Sequence, residues 1–259
     1  MDLTGTTALV TGASRGIGRA IAEELATRPL ALLLCGVRSA DTDPPAAPPG
    51  GAREARNVTV DLSTRESIEA AARELPPVDL LVNNAGLMTG GLLEEQQTDD
   101  VYAMFQVNLV GLVHLTQLVL PGMLERGRGT IVNNASISGY AWFPAATTYA
   151  AAKTGVVAFS ESLRRELRGT GVQVLHLVTP GVDTDMLDDT RRVYGRHMDA
   201  DAWSDVSPEE WAAKVVRAVE RGDHVLGPGG RLALAKLASR GPAALLDALS
   251  RSMFSRDPR

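Results

Sequence analysis

A short β-prone run, Thr6-Thr7-Ala8-Leu9-Val10, leads directly into Thr11-Gly12-Ala13-Ser14-Arg15-Gly16-Ile17-Gly18. A helical pattern through Ile21, Ala22 and Leu25 follows and stops at Thr27-Arg28-Pro29. Strand, glycine turn and helix in immediate succession constrain the fold more than any other stretch of the chain. Gly12 permits a tight turn, Gly16 lets the backbone approach a pyrophosphate, and Gly18 allows close helix–strand contact. The helix start adds free N–H groups and a positive dipole end, so the whole loop, Ser14, Arg15 and Ile17 included, reads as a dinucleotide cradle.

The rest of the chain repeats the alternation. A second strand is expected over Leu30–Val37, then strands at Asn57–Val60, Val78–Val82, Gly129–Asn134 and Val172–Val178, with a short last one near His224–Leu226. Helices between them predict an α/β fold, a doubly wound parallel sheet of about seven strands with helices on both faces. Length suits one domain across residues 1–259. Ser63-Thr64-Arg65-Glu66 reads as a capping box, and Ser207-Pro208-Glu209-Glu210 as a capped start with proline in the first turn. Thr98-Asp99-Asp100 opens a long helix carrying Asn108 and predicted to break near Pro121. Between Asp41 and Gly51 four prolines forbid a helix, because each removes a donor and restricts its neighbour.

Composition narrows the class. No apolar run reaches the ~18 residues of a membrane span, and the start lacks a signal pattern. A single cysteine, Cys35, in a run that reads as a buried strand, points to a reducing cytoplasm. A net charge of −5 gives no nucleic-acid footprint, and four scattered histidines predict no metal site.

Arg38 ends the second strand twenty residues after Gly18, where an NAD site wants a carboxylate and an arginine suits a 2′-phosphate. With Arg15 as a second cation, NADP(H) is favoured over NAD(H), although Asp41 or Asp43 could supply the carboxylate of an NAD site. Tyr149 and Lys153 stand four apart on a predicted helix, hence on one face, with Ser136 thirteen residues upstream. An ammonium ~4 Å from the phenol oxygen, in an effective dielectric of about 20, would favour phenolate by roughly 4 kcal/mol. That would bring the phenol close to neutral pH, as a proton donor and acceptor to a carbonyl/alcohol pair requires.

With these motifs the chain resembles the short-chain dehydrogenase/reductase family, from about Thr6 to Met186. The resemblance rests on the glycine loop, Asp61-Leu62, Asn83-Asn84-Ala85-Gly86, the set Asn108, Ser136, Tyr149 and Lys153, and Pro180-Gly181. It implies a single-domain Rossmann fold with Tyr149 as general acid/base and Ser136 holding the substrate oxygen, Ser138 being the rival serine. Lys153 would bind the nicotinamide ribose and lower the Tyr149 pKa, and Asn108 would anchor a water. Asp61 and Leu62 would meet adenine, Asn83, Asn84, Ala85 and Gly86 would flank the cofactor, and Pro180, Gly181 and Thr184 would border the nicotinamide. The segment Pro180-Gly181-Val182-Asp183-Thr184 is one residue shorter than the family's usual turn, and the family's Asp-Gly-Gly ending is missing.

In a chain of this resemblance residues 185–206 occupy the place of a substrate lid, and residues 231–254 form a C-terminal helical extension. Tyr140, Trp142 and Phe143 follow Ser136 closely, either as a wall for an apolar carbonyl compound or as part of the core or a subunit contact, and Met88 could line the same pocket. Arg191, Arg192 and Arg196 could hold an acidic group or remain solvated. The expected activity is hydride transfer between NADP(H) and a carbonyl or alcohol. An NAD(H) enzyme and a non-catalytic nucleotide sensor are the other readings. The helices carrying Asn108 and Tyr149 should pair across a twofold axis in a homodimer.

Overall fold

The computed structural model describes residues 1–39, 42–195, 197 and 206–227. Seven strands form one parallel sheet: β1 (Thr7–Thr11), β2 (Leu32–Val37), β3 (Ala55–Thr59), β4 (Leu80–Asn83), β5 (Gly129–Asn134), β6 (Val172–Leu177) and β7 (Val225–Leu226). Their spatial order is β3-β2-β1-β4-β5-β6-β7. The chain winds outward from β1 to β3, then returns to place β4 beside β1. That reversal opens a crevice at the carboxyl ends of β1 and β4, where open α/β sheets bind ligands.

The central strands are continuous apolar runs because both faces are covered. In β2, Leu33, Leu34 and Cys35 are fully buried, whereas the edge strand β3 is half-exposed. One layer is α1 (Gly16–Ala26) with α7 (Pro208–Arg221), whose Trp211, Val215 and Val219 recur along one stripe and pack with Ile21, Leu25 and the sheet. The other layer is α2 (Arg65–Glu74), α4 (Gly111–Arg126) and α5 (Thr147–Glu166), with Ile68, Leu115, Met123 and Leu163 facing Leu9, Leu81 and Ile131. The proline-rich stretch forms no helix over residues 42–51.

Three local expectations change. The run from Thr98 is α3 (Thr98–Phe105), a π turn (Gln106–Val110) holding Asn108, and then α4, which does not break at Pro121. Pro121 deprives only the carbonyl of Gln117, and both residues are exposed, so water can replace the lost donor. The cap of α2 is Thr64, which accepts from the Ser67 N–H at 3.3 Å, not Ser63. Finally, Thr98–Arg126 is long and apolar enough by composition to cross a membrane, with mean hydropathy 1.6. Its Asn108, His114, Thr116 and Gln117 interrupt any unbroken apolar run, which hid it in the sequence. Here it lies on the sheet, with Leu112, Leu115 and Met123 buried. The extension expected at 231–254 lies outside the described residues.

Candidate active site

The loops after β1 and β4 meet because glycine leaves room. Gly12 has φ +68°, and a Cβ there would stand 2.8 Å from the Ala85 Cα. A Cβ on Gly18 would collide with the Gly12 carbonyl oxygen. Gly18→Ala is therefore expected to cost about 1–3 kcal/mol of stability and to weaken cofactor binding, measurable by urea denaturation and nucleotide titration. The first turn of α1 has no side-chain cap, which leaves its N–H groups to a ligand.

Thr11 joins the two loops. Its hydroxyl accepts from the N–H groups of Asn84 and Ala85, each at 3.0 Å, and the Asn84 amide donates back to the Thr11 carbonyl at 3.2 Å. Asn83 points the other way. It is 2% exposed and donates to Thr116 and Asn133, so its side chain holds the sheet to the helices rather than facing the cleft. Strand alternation separates it from Asn84.

Arg38 is exposed at the end of β2. Ser14 is exposed and Ile17 half-buried within the glycine loop. Arg15 is exposed but pairs with Asp185 at 3.1 Å. That contact, with Thr184 3.3 Å from the position of a Cβ on Gly16, brings the start of α6 (Asp185–Tyr194) over the glycine loop. Asp61 is half-buried and accepts from the Ser63 N–H, while the carbonyl of buried Leu62 accepts from Gln106. Pro180 is buried, and the Gly181 carbonyl accepts from Val206, which ties the turn after β6 to the approach to α7.

The catalytic candidates converge beside this cleft. Ser136, just beyond β5, caps the 3₁₀ turn Ile137–Gly139, its hydroxyl accepting from the Ser138 N–H at 3.1 Å. Of the two serines, Ser136 is the one that acts on the Tyr149 phenol, favouring its ionised form. Tyr149 and Lys153 lie one turn apart on α5 and are both buried. The Lys153 ammonium donates to the Asn134 carbonyl at 2.8 Å and stands 5.7 Å from the centre of the Tyr149 ring. Asn108 clamps the backbone of Leu87, donating to its carbonyl at 2.8 Å and accepting from its N–H at 3.0 Å. A Cβ on Gly86 would stand 2.7 Å from the Asn108 Oδ1 and 3.8 Å from the Lys153 Nζ, so only glycine lets this loop close over the pair.

Electrostatics overturn one expectation. Burial pushes the Tyr149 phenol above its ordinary value, only partly opposed by nearby Ser136, and burial pulls Lys153 down to about 8. Loss of water penalises phenolate and ammonium alike, and this outweighs the attraction predicted from their spacing. The unfolded chain, with lysine near 10.5, binds more protons between pH 8 and 10.5 than the folded one. Stability should therefore rise with pH through that window, and the raised Tyr149 should lower it again beyond. Lys153→Met should flatten the rise in urea denaturation.

Asn134, Thr11 and Thr179 were not foreseen. The Asn134 amide donates to Asn84 at 2.9 Å and accepts from the Thr179 hydroxyl at 2.5 Å, while its carbonyl holds Lys153. No spacing rule links these residues; only the sheet brings them together. The aromatic trio divides. Tyr140 is buried against His176 at 2.8 Å, and Trp142 is 54% exposed and donates to Thr154. Phe143, with Met88, packs against the cluster of Ala145, Ala146 and Tyr194. The Arg196 side chain lies outside the described residues, as do the Arg192 side chain and Asp41, and Arg191 is half-buried. Among the described residues no three His, Cys, Asp or Glu side chains gather to hold a metal.

Residues 6–194 match the family model of the short chain dehydrogenases. The chain belongs to this family. It is 36% identical over 225 residues to the 3-oxoacyl-(acyl-carrier-protein) reductase FabG of Vibrio harveyi, covering 83% of this chain and 90% of that one. Ketoacyl reductase HetN of a Nostoc species is 37% identical over 199 residues, covering 73% and 68%. A short chain dehydrogenase from Burkholderia cenocepacia, solved in complex with NADP, superposes with a TM-score of 0.81 at 26% identity, covering 96% and 99%. The protein is thus an NAD(P)-dependent short-chain dehydrogenase/reductase that acts on carbonyl or alcohol groups.

Proposed function

We propose that this chain is an NADP(H)-dependent reductase of ketones, with Tyr149 as the proton donor. The observation that carries this reading is the convergence of Ser136 with buried Tyr149 and Lys153, one turn apart on α5, beside the glycine-loop cleft. When bound there, NADPH supplies the hydride. Gly12, Ser14, Arg15, Gly16, Ile17 and Gly18 would hold its pyrophosphate, Arg38 its 2′-phosphate, and Asp61 and Leu62 its adenine. Asn84, Ala85, Gly86 and Lys153 would hold its riboses, and Pro180, Gly181 and Thr184 its nicotinamide. Ser136 orients the substrate oxygen. Tyr149, kept protonated by burial, passes its proton to that oxygen as the alcohol forms, and Lys153 stabilises the phenolate that remains.

The relatives' names, 3-oxoacyl and ketoacyl reductase, support 3-oxoacyl compounds as the first substrates to test. The test is absorbance-monitored oxidation of NADPH and of NADH over a panel of 3-oxoacyl thioesters and simple ketones. Turnover with NADPH supports the reading. Preference for NADH would shift it to the NAD alternative. Buried Cys35, its thiol pushed up to about 11 by burial, fits a reducing cytoplasm as the setting.

The same reading includes a homodimer. Val110 and Leu118 are 49% and 40% exposed along the π turn and α4, an apolar surface one chain leaves uncovered. Pairing of α4 and α5 with a second copy would cover it. Sedimentation should show a dimer that Leu118→Glu with Val110→Glu converts to monomer. A wild-type monomer at micromolar concentration would contradict it.

A further inference from the structure

We propose that Tyr194 sets which ketones this enzyme accepts, its ring closing the substrate side of the pocket against bulky apolar groups; the proposal rests on the reductase reading above. Tyr194 is the last residue of α6, yet it is only 2% exposed. Its ring packs with Ala145 and Ala146, and Met88 and Phe143 complete the cluster. It presses so closely on the loop after β4 that a Cβ on Gly90 would collide with the ring edge and stand 3.0 Å from the hydroxyl. That hydroxyl lies 3.4 Å from the Met88 sulfur.

Two links connect this ring to the reacting centre. Met88 packs both against the cluster of Tyr149, Met104 and Ala152 and against that of Tyr194. Charge on Tyr149 also opposes ionisation of Tyr194, whose pKa burial already raises strongly, so the two phenols are in electrostatic reach. Ala145 supplies the other side of the wall. It has φ +62°, a left-handed conformation uncommon for a residue with a Cβ, and its carbonyl accepts from the Gly91 N–H at 2.9 Å. It precedes the start of α5 by two residues, so the ring of Tyr194 rests on the segment that launches the catalytic helix.

The cluster is an aromatic ring, a thioether, a second aromatic ring and two alanines. A carbonyl substrate held beside Tyr149 would meet this surface with its apolar alkyl or aryl substituent, and the Tyr194 ring would limit how far that substituent reaches. One methylene in an apolar pocket discriminates by about 10–200-fold, so removal of a ring has room to act.

The experiment compares wild type, Tyr194→Phe and Tyr194→Ala on methyl ketones of increasing alkyl and aryl size with NADPH. Tyr194→Ala should raise kcat/KM for the bulkiest ketones relative to the smallest by about tenfold or more. Tyr194→Phe keeps the ring and should preserve the wild-type ranking, which separates lost volume from lost folding. The same ketones are also read as ligands, by thermal stabilisation in the presence of NADP⁺, so that the size ranking is obtained even without turnover. Turnover with an unchanged ranking in Tyr194→Ala overturns the Tyr194 assignment and leaves the reductase reading intact. Absence of turnover in wild type overturns the reductase reading. In that case a binding rank that shifts in Tyr194→Ala still supports the role of the ring, and one that does not shift overturns it.

Discussion

Tyr149→Phe is expected to lower ketone turnover by about 100-fold or more while leaving NADPH affinity nearly unchanged. The substitution deletes one oxygen and keeps the ring that packs with Met104 and Ala152. Its neighbours retain their places: Ser136 still caps its 3₁₀ turn through the Ser138 N–H, and Lys153 still donates to the Asn134 carbonyl. What disappears is the phenol hydroxyl beside Ser136 that, in the proposed mechanism, passes its proton to the substrate oxygen. Stopped-flow reduction of a 3-oxoacyl thioester and NADPH titration together check the two halves of the expectation. Near-normal turnover in the Phe variant would remove Tyr149 as proton donor.

Arg38→Ala should shift cofactor preference from NADPH toward NADH by about ten- to a hundredfold. Arg38 stands exposed where β2 ends, the place at which such sheets read the 2′ position of the adenosine ribose. A charge-assisted hydrogen bond to phosphate is worth about 1.5–3 kcal/mol, and only NADPH has that partner to lose. Arg15 should contribute less, because its guanidinium is already paired with Asp185. Equilibrium titrations with both nucleotides give the ratio. Equal weakening of the two would show that Arg38 serves the structure alone.

The sheet was legible because its determinants are local. Apolar runs such as Leu32–Val37, followed by Arg38 and the prolines after Asp43, announce buried parallel strands and their ends. The glycine loop and the pair Tyr149 and Lys153 were legible for the same reason, as a turn and a helical i, i+4 spacing encode geometry directly. What failed depends on surroundings that spacing does not contain. The i, i+4 rule placed Tyr149 beside Lys153 but said nothing of the water both had lost, so the direction of the phenol's pKa was misread. Asn83 looked equivalent to Asn84 until strand alternation sent it to the opposite face. For Tyr140 both a pocket wall and the core were open, and only the fold, by offering His176 on β6 as a partner, places it in the core. Tyr194 lay within the expected lid but had no motif to mark it. Its importance comes from Met88, Gly90 and Ala145, each distant in sequence.

The central claim is that hydride passes to a carbonyl carbon in this cleft while Tyr149 supplies the proton. It is tested most directly with NADPH deuterated at the nicotinamide carbon that gives up hydride, followed by mass spectrometry of the product. The account predicts an alcohol carrying one deuterium on its carbinol carbon with the wild-type chain, and almost none formed by Tyr149→Phe. Product without deuterium, or equal product from both proteins, would contradict it.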